Sequence, residues 1–187
     1  MIKVILTFTF FLVSWVPLIR ASESPPTPGN RDYLFFGLQS SIPVGESTRF
    51  FSSGYRHPSI AYMHVFNDEW LMGLGINFKI LYRADTKEDI AIASLSHEIA
   101  RRVRLSYPTF IDIGSQIMYL LPAEVAAFPL RRSADFHQEI GAGLFSEITH
   151  QVSTNSLIGL RIGRWRGTGS KQLQCLESTA IVGWTLD

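Results

Sequence analysis

The stretch Trp70–Tyr82, WLMGLGINFKILY, decides the fold. Trp70, Met72, Leu74, Ile76, Phe78, Ile80 and Tyr82 are apolar or aromatic, and between them stand Leu71, Gly73, Gly75, Asn77, Lys79 and Leu81. Strict period-two alternation of this kind makes a strand with two unlike faces. At roughly 3.3 Å per residue the run extends about 40 Å, and a tilt near 45° carries it across a ~30 Å apolar layer. The second face separates a soluble core from lipid. A soluble sheet rarely spends two glycines on its water-facing side, whereas the inside of a narrow barrel uses them to make room for large neighbours.

The composition agrees. A chain of 187 residues suggests one domain, and its 18% charged residues fall below the usual figure of about 25%. A net charge of +1 argues against a nucleic-acid partner, which calls for a strong basic excess. The lone Cys175 forms no internal disulfide. Residues 1–21 read as a signal peptide: Lys3 in a short positive start, an apolar run from Val4 to Val16, and Ala21 and Ser22 as a small-residue exit. The alternative, an uncleaved anchor, suffers from a run short of the ~20 residues that a spanning helix needs. Residues 22–31, containing SPPTPGN, form a linker, and residues 32–187 the folded domain.

The same alternation recurs along the domain. Tyr33–Val44 sets Leu34, Phe36, Leu38 and Ile42 against Gly37, Gln39 and Ser41; after a Ser- and Gly-rich loop at 45–57, Ser59–Phe66 returns with Ala61, Met63 and Val65 on its plainer apolar face. Residues 90–105 are ambiguous, because Ile92, Leu95, Ile99 and Val103 also fit a helical face. The strand reading, with Ser94, Ser96, Glu98, Arg102 and Arg104 inward, is preferred because a helix would leave an odd strand count in a barrel. Thr109–Leu121, Asp135–Ile148, Leu157–Trp165 and Leu173–Leu186 complete eight strands. Their outward sets include Ile113 and Ile117, Ile140 and Leu144, Leu160 and Ile162, and Val182 and Trp184. The expected fold is an all-β, eight-stranded antiparallel up-and-down transmembrane β-barrel.

Eight such strands behind a signal sequence, with short connections alternating with longer ones, resemble the small outer-membrane β-barrels of Gram-negative bacteria, the OmpA-like and OmpX-like superfamily. The resemblance spans Tyr33–Leu186 and is one of pattern. It implies an integral protein of the bacterial outer membrane, with the turns at Asn67–Glu69 and Ser106–Pro108 periplasmic and the connections at 45–57, 83–89, 122–134 and 166–171 outside. Aromatic girdles are then expected from Tyr33, Phe66, Trp70, Tyr107, Phe110 and Trp184 at the periplasmic level, and from Tyr82, Tyr119, Phe136 and Trp165 at the outer one. Such barrels usually end on an aromatic residue, and here the last residues are Trp184, Thr185, Leu186 and Asp187. A soluble lipocalin-like ligand-binding barrel is the competing architecture.

The chain carries no phosphate loop or metal-ligand spacing, and no cofactor is expected. His57 and Ser59 lie two apart on an extended segment, hence on one face. Their pairing invites comparison with lipid A deacylases, although those carry their His and Ser near the C-terminus with Asn-Ala following. Arg161 and Glu177 both point inward and are expected to form a cross-strand ion pair if the last hairpin turns about Gly169. Arg131, Arg132, Arg164 and Arg166 collect at the outer rim, where a planar guanidinium suits the phosphates of lipopolysaccharide. The leading expectation is a non-enzymatic envelope protein, monomeric, in contact with outer-membrane lipid and handled by the barrel-insertion machinery.

Overall fold

The computed structural model describes residues 31–54, 56–66, 69–83, 89–124, 131–132, 137–169 and 173–186. The expected signal peptide and most of the linker lie outside them. Eight long strands make the wall: β1 (Arg31–Pro43), β3 (Arg56–Phe66), β4 (Trp70–Arg83), β5 (Asp89–Ser106), β6 (Thr109–Glu124), β8 (Glu139–Ser153), β9 (Ser156–Gly167) and β10 (Gln174–Leu186). Two short pieces, β2 (Phe51–Gly54) and β7 (Arg131–Arg132), extend it beyond β3 and β8. Each long strand pairs antiparallel with the next, and β1 pairs with β10 from Asp32↔Leu186 to Pro43↔Cys175, so the sheet closes on itself. Residues 90–105 are strand throughout.

The register sets the shape. Starting at Arg104, directly paired residues lead through Phe110, Thr149, Gly159, Ile181, Gly37, Ser59 and Asn77, and return to β5 at Ser94, ten residues from the start. A stagger of that size forces the strands to tilt, and with eight strands it leaves an interior that side chains fill.

The alternation sorts as expected on most strands. Met72, Leu74, Ile76, Leu95, Ile99, Ile113, Ile117, Ile140, Leu144 and Ile162 are exposed on the outside, while Leu71, Lys79, Glu98, Asp112, Gln116 and Glu147 are buried within. Three local readings differ. On β3, Ala61, Met63 and Val65 turn inward, and the outer wall is made by Ile60 and Tyr62. The expected loop at 45–57 holds a 3₁₀ turn (Gly45–Arg49) and β2, and β3 begins at Arg56. Pro58 is tolerated there because the ladder to β4 is interrupted between Gly54↔Leu81 and Ser59↔Asn77, so a missing N–H leaves no partner bare. Finally, Trp165 and Tyr33 belong to the interior, at 1% and 7% exposure, and not to the girdles.

Inside, two apolar clusters sandwich polar side chains. Toward the longer connections lie Phe51, Leu81, Ile92, Leu120, Trp165 and Leu173; toward the tight turns lie Phe35, Met63, Val65, Phe145, Leu157 and Ile181. Glycine provides the room. A Cβ on Gly143 would stand 2.8 Å from both the Arg164 carbonyl oxygen and Trp165 Cβ, neither of which can swing away. Gly143→Val is therefore expected to cost about 1–3 kcal/mol by overpacking the lumen, whereas Ala142→Val, one residue along on the exposed outer face, leaves stability within error. Urea midpoints for folding into lipid or detergent check the contrast.

Candidate functional site

The polar middle of the barrel is built from inward positions that the alternation supplies, joined across the lumen. Lys79 on β4 is wholly buried and its Nζ lies 2.5 Å from Glu177 Oε1 on β10, three strands away around the wall. The same oxygen accepts hydrogen bonds from Trp165 Nε1 at 2.5 Å and from Ser41 Oγ at 3.3 Å. The Lys79 ammonium also sits 4.5 Å from the centre of the Trp165 ring, so the indole offers it both a π face and a shared carboxylate.

Arg161 on β9 makes the second crossing. Its Nε donates to Glu147 Oε2 at 2.7 Å and its NH1 to Glu98 Oε2 at 2.8 Å. Glu147 is its direct neighbour in the β8–β9 register, whereas Glu98 reaches it from β5. Ser96 Oγ bonds the other Glu98 oxygen at 3.2 Å, and the Arg161 guanidinium lies 4.3 Å from the centre of the Phe145 ring. A third pair, Arg102 with Asp112, is bidentate at 2.9 and 2.8 Å. Each of these inward charges has a counter-charge 2.5–2.8 Å away, as a buried ion must.

The expected Arg161–Glu177 pair is not formed. The register sets Thr179 opposite Arg161 and Gly163 opposite Glu177, two residues from the alignment that a turn about Gly169 implies. Both residues do point inward, but in a closed cylinder a long side chain reaches across the lumen as readily as along the wall. Lys79, Glu98 and Glu147 were legible as inward residues; their partners were not, because no periodicity encodes a contact between strands β4 and β10 or β5 and β9.

Between these ion pairs lies a cavity of about 30 Å³, lined in part by Gly37, Gly75, Gly163, Gln39, Asn77 and Gln116. That is room for one or two water molecules and not for a solute path. The side chains crossing the lumen make the barrel a filled cylinder.

His57 and Ser59 share a face as expected, but the face is the inner one. His57 is 2% exposed with its Nε2 3.3 Å from Ser41 Oγ, and Ser59 lines the central cavity. A hydroxyl attacking a membrane lipid has to face outward, so this pair does not form a lipid-facing nucleophile. Arg164 and Arg166 do face outward, at the β9 end nearest the longer connections, next to Leu144 and Leu176 and to Ala142 and Gln174 in the register. The backbone of Arg131 and Arg132 forms β7, which pairs with Ala123 and Glu124 at the same end of β6. Among the described residues no group of His, Cys, Asp and Glu is arranged to hold a metal ion.

No protein-family model matches the chain, and no curated protein sequence does. Solved structures do. Neisserial surface protein A aligns with 84% of this chain and 99% of its own, at TM-score 0.66 and 13% identity. The outer membrane protein OprG from Pseudomonas aeruginosa aligns over 83% and 96%, at 0.56 and 8%. The attachment invasion locus protein Ail of Yersinia pestis, solved in complex with the heparin analogue sucrose octasulfate, aligns over 84% and 97%, at 0.53 and 7%. At such identities the likeness is one of fold, and the fold is that of small outer-membrane β-barrels.

The interior network carries a prediction. Arg161 serves two carboxylates, so Arg161→Met strands both Glu98 and Glu147 and is expected to destabilise the barrel by about 3–5 kcal/mol. Adding Glu98→Gln and Glu147→Gln to that variant should recover most of the loss, because no buried charge then lacks a partner. Urea titration of the single and triple variants in lipid distinguishes this outcome from simple loss of packing, which the extra substitutions would not repair.

Proposed function

We propose that the protein is a non-enzymatic integral component of the bacterial outer membrane, and that its arginine-bearing rim holds lipopolysaccharide against the wall. The observation that carries the reading is the outward pair Arg164 and Arg166. They end an apolar outer strip formed on β9 by Ile158, Leu160 and Ile162, so a lipid whose acyl chains lie along that strip brings its phosphates to the guanidinium groups. The β7 backbone of Arg131 and Arg132 continues from the end of β6, and β8, which begins at Glu139, lies between β6 and β9; the four arginines thus share one sector of the rim. Glu139, at the start of β8, has its carboxylate engaged by the backbone N–H of Gly169. Ail, of the same fold, was solved with a polyanionic sugar, and a phosphorylated glycolipid is a ligand of related chemistry.

In this reading the tight turns and both termini of the barrel domain face the periplasm, the longer connections face outside, and assembly runs through the barrel-insertion machinery. The inward aim of His57 and Ser59 gives no support to deacylation. The filled lumen gives none to a lipocalin-like ligand site.

Envelope fractionation with a heat-dependent gel-mobility shift is expected to recover the protein in the outer-membrane fraction as a folded barrel. Replacing Arg131, Arg132, Arg164 and Arg166 together by Gln is expected to reduce lipopolysaccharide co-purification and to flatten its salt dependence. Only direct contacts escape screening beyond a Debye length of ~8 Å. Unchanged retention at low and high salt would overturn the rim assignment while leaving the location intact.

A further inference from the structure

The outer wall carries polar groups where lipid tails should lie. His97 is at the midpoint of β5, Ser115 near that of β6 and Ser146 at that of β8, and all three point outward and are exposed. They form a row. His97 pairs with Ile117 and Ser115 with Ile99, which makes His97 and Ser115 diagonal neighbours; Ser115 pairs with Leu144 and Ser146 with Ile113, which makes the next diagonal. Diagonal side chains of adjacent strands stand about 7–8 Å apart, and a strand tilt of about 45° turns these diagonals nearly parallel to the membrane plane. The row thus lies level at mid-height of the wall. None of the three side chains has a hydrogen-bond partner among the described residues. Ser40 and Ser178 also point outward, but they are half-buried by their neighbours and directly opposed to each other.

Hydrocarbon offers an imidazole and two hydroxyls nothing to bond with, and an ionisable side chain at such a depth marks an interaction site. We infer that this row is the contact by which two copies of the chain associate within the membrane. This inference rests on the bilayer reading above, and it departs from the monomer expected from the sequence.

The row is self-complementary in the one way that two barrels inserted with the same orientation allow. Their two-fold axis runs along the membrane normal and keeps every residue at its own depth. With the axis beside Ser115, the hydroxyl of Ser115 meets its own copy, and His97 meets Ser146 on each side. Each of these groups can both donate and accept, so every contact is satisfied whichever way the protons lie. The flanks supply packing: Leu144, Ile117 and Ile113 are 70%, 61% and 59% exposed and stand above and below the row as ridges. In a bilayer, packing of that kind and hydrogen bonds across the contact drive association.

The test uses the full barrel in phospholipid vesicles at low protein-to-lipid ratio, in a Cys175→Ala background, since Cys175 is buried and is the sole cysteine. Ser115→Cys is expected to give an oxidised covalent dimer. Leu38→Cys, on β1, which is opposite β6 in the eight-strand ring, is expected to stay monomeric. The triple variant His97→Leu, Ser115→Ala, Ser146→Ala should keep its heat-dependent mobility and weaken energy transfer between labelled copies, association falling about tenfold. Three outcomes would each overturn the dimer alone: equal cross-linking of the Ser115→Cys and Leu38→Cys variants, no cross-linking in barrels that float with vesicles, or energy transfer unchanged in the triple variant. Failure to float with vesicles would instead overturn the bilayer reading, and the dimer with it.

Discussion

Every backbone N–H and C=O in the apolar layer of a membrane has to find its partner within the protein, and the pairing of β1 with β10 is what makes this possible here. Without that seam two strands would present a row of bare amides to hydrocarbon, at several kcal/mol for each unsatisfied group. Closure then dictates the rest. It needs an even set of antiparallel strands, it tilts them through the stagger of the register, and it sends alternate side chains to two environments with opposite demands. The lipid-facing set has only to be apolar. The inward set has to fill a narrow cylinder, and for this reason glycine, tryptophan and buried ions occur there together.

The filled lumen shapes what the protein can do. Lys79 with Glu177, and Arg161 with Glu98 and Glu147, cross the space that a solute would use, and each bridge is locked by neighbours: the Trp165 indole for the first, Ser96 and the Phe145 ring for the second. Buried ion pairs seldom add net stability over well-packed apolar side chains, but breaking one is costly. An interior rearranged so as to separate these pairs would therefore be penalised. With the inside occupied, surface chemistry is left to the outer wall and to the end that bears the longer connections, where Arg164 and Arg166 emerge.

Much of this architecture was legible in the chain. The alternation from Trp70 to Tyr82 named the faces of β4 residue by residue, and Thr109–Leu121 and Leu157–Trp165 did the same for β6 and β9. The strand at 90–105 was harder, because His97 and Arg101 break the apolar face that a membrane strand should show; His97 is outward in spite of its polarity. The β3 faces were obscured by a different cause. Ala61, Met63 and Val65 are as apolar as Ile60 and Tyr62, since the interior near the tight turns is itself an apolar cluster, so period two was present without telling inside from outside.

By itself the sequence determined the eight long strands, the sense of most faces, the ends at which the short and long connections lie, and most of the charged residues that are interior. These follow from local alternation, which neighbouring residues along one strand are enough to express. Which interior charges meet was decided only by the tertiary structure. So were the burial of His57, the inward turn of Trp165 and the alignment of side chains on neighbouring strands. All of these depend on the register between strands and on distances across a closed lumen, and a shift of two residues, invisible to the alternation, moves Arg161 from Glu177 to Thr179.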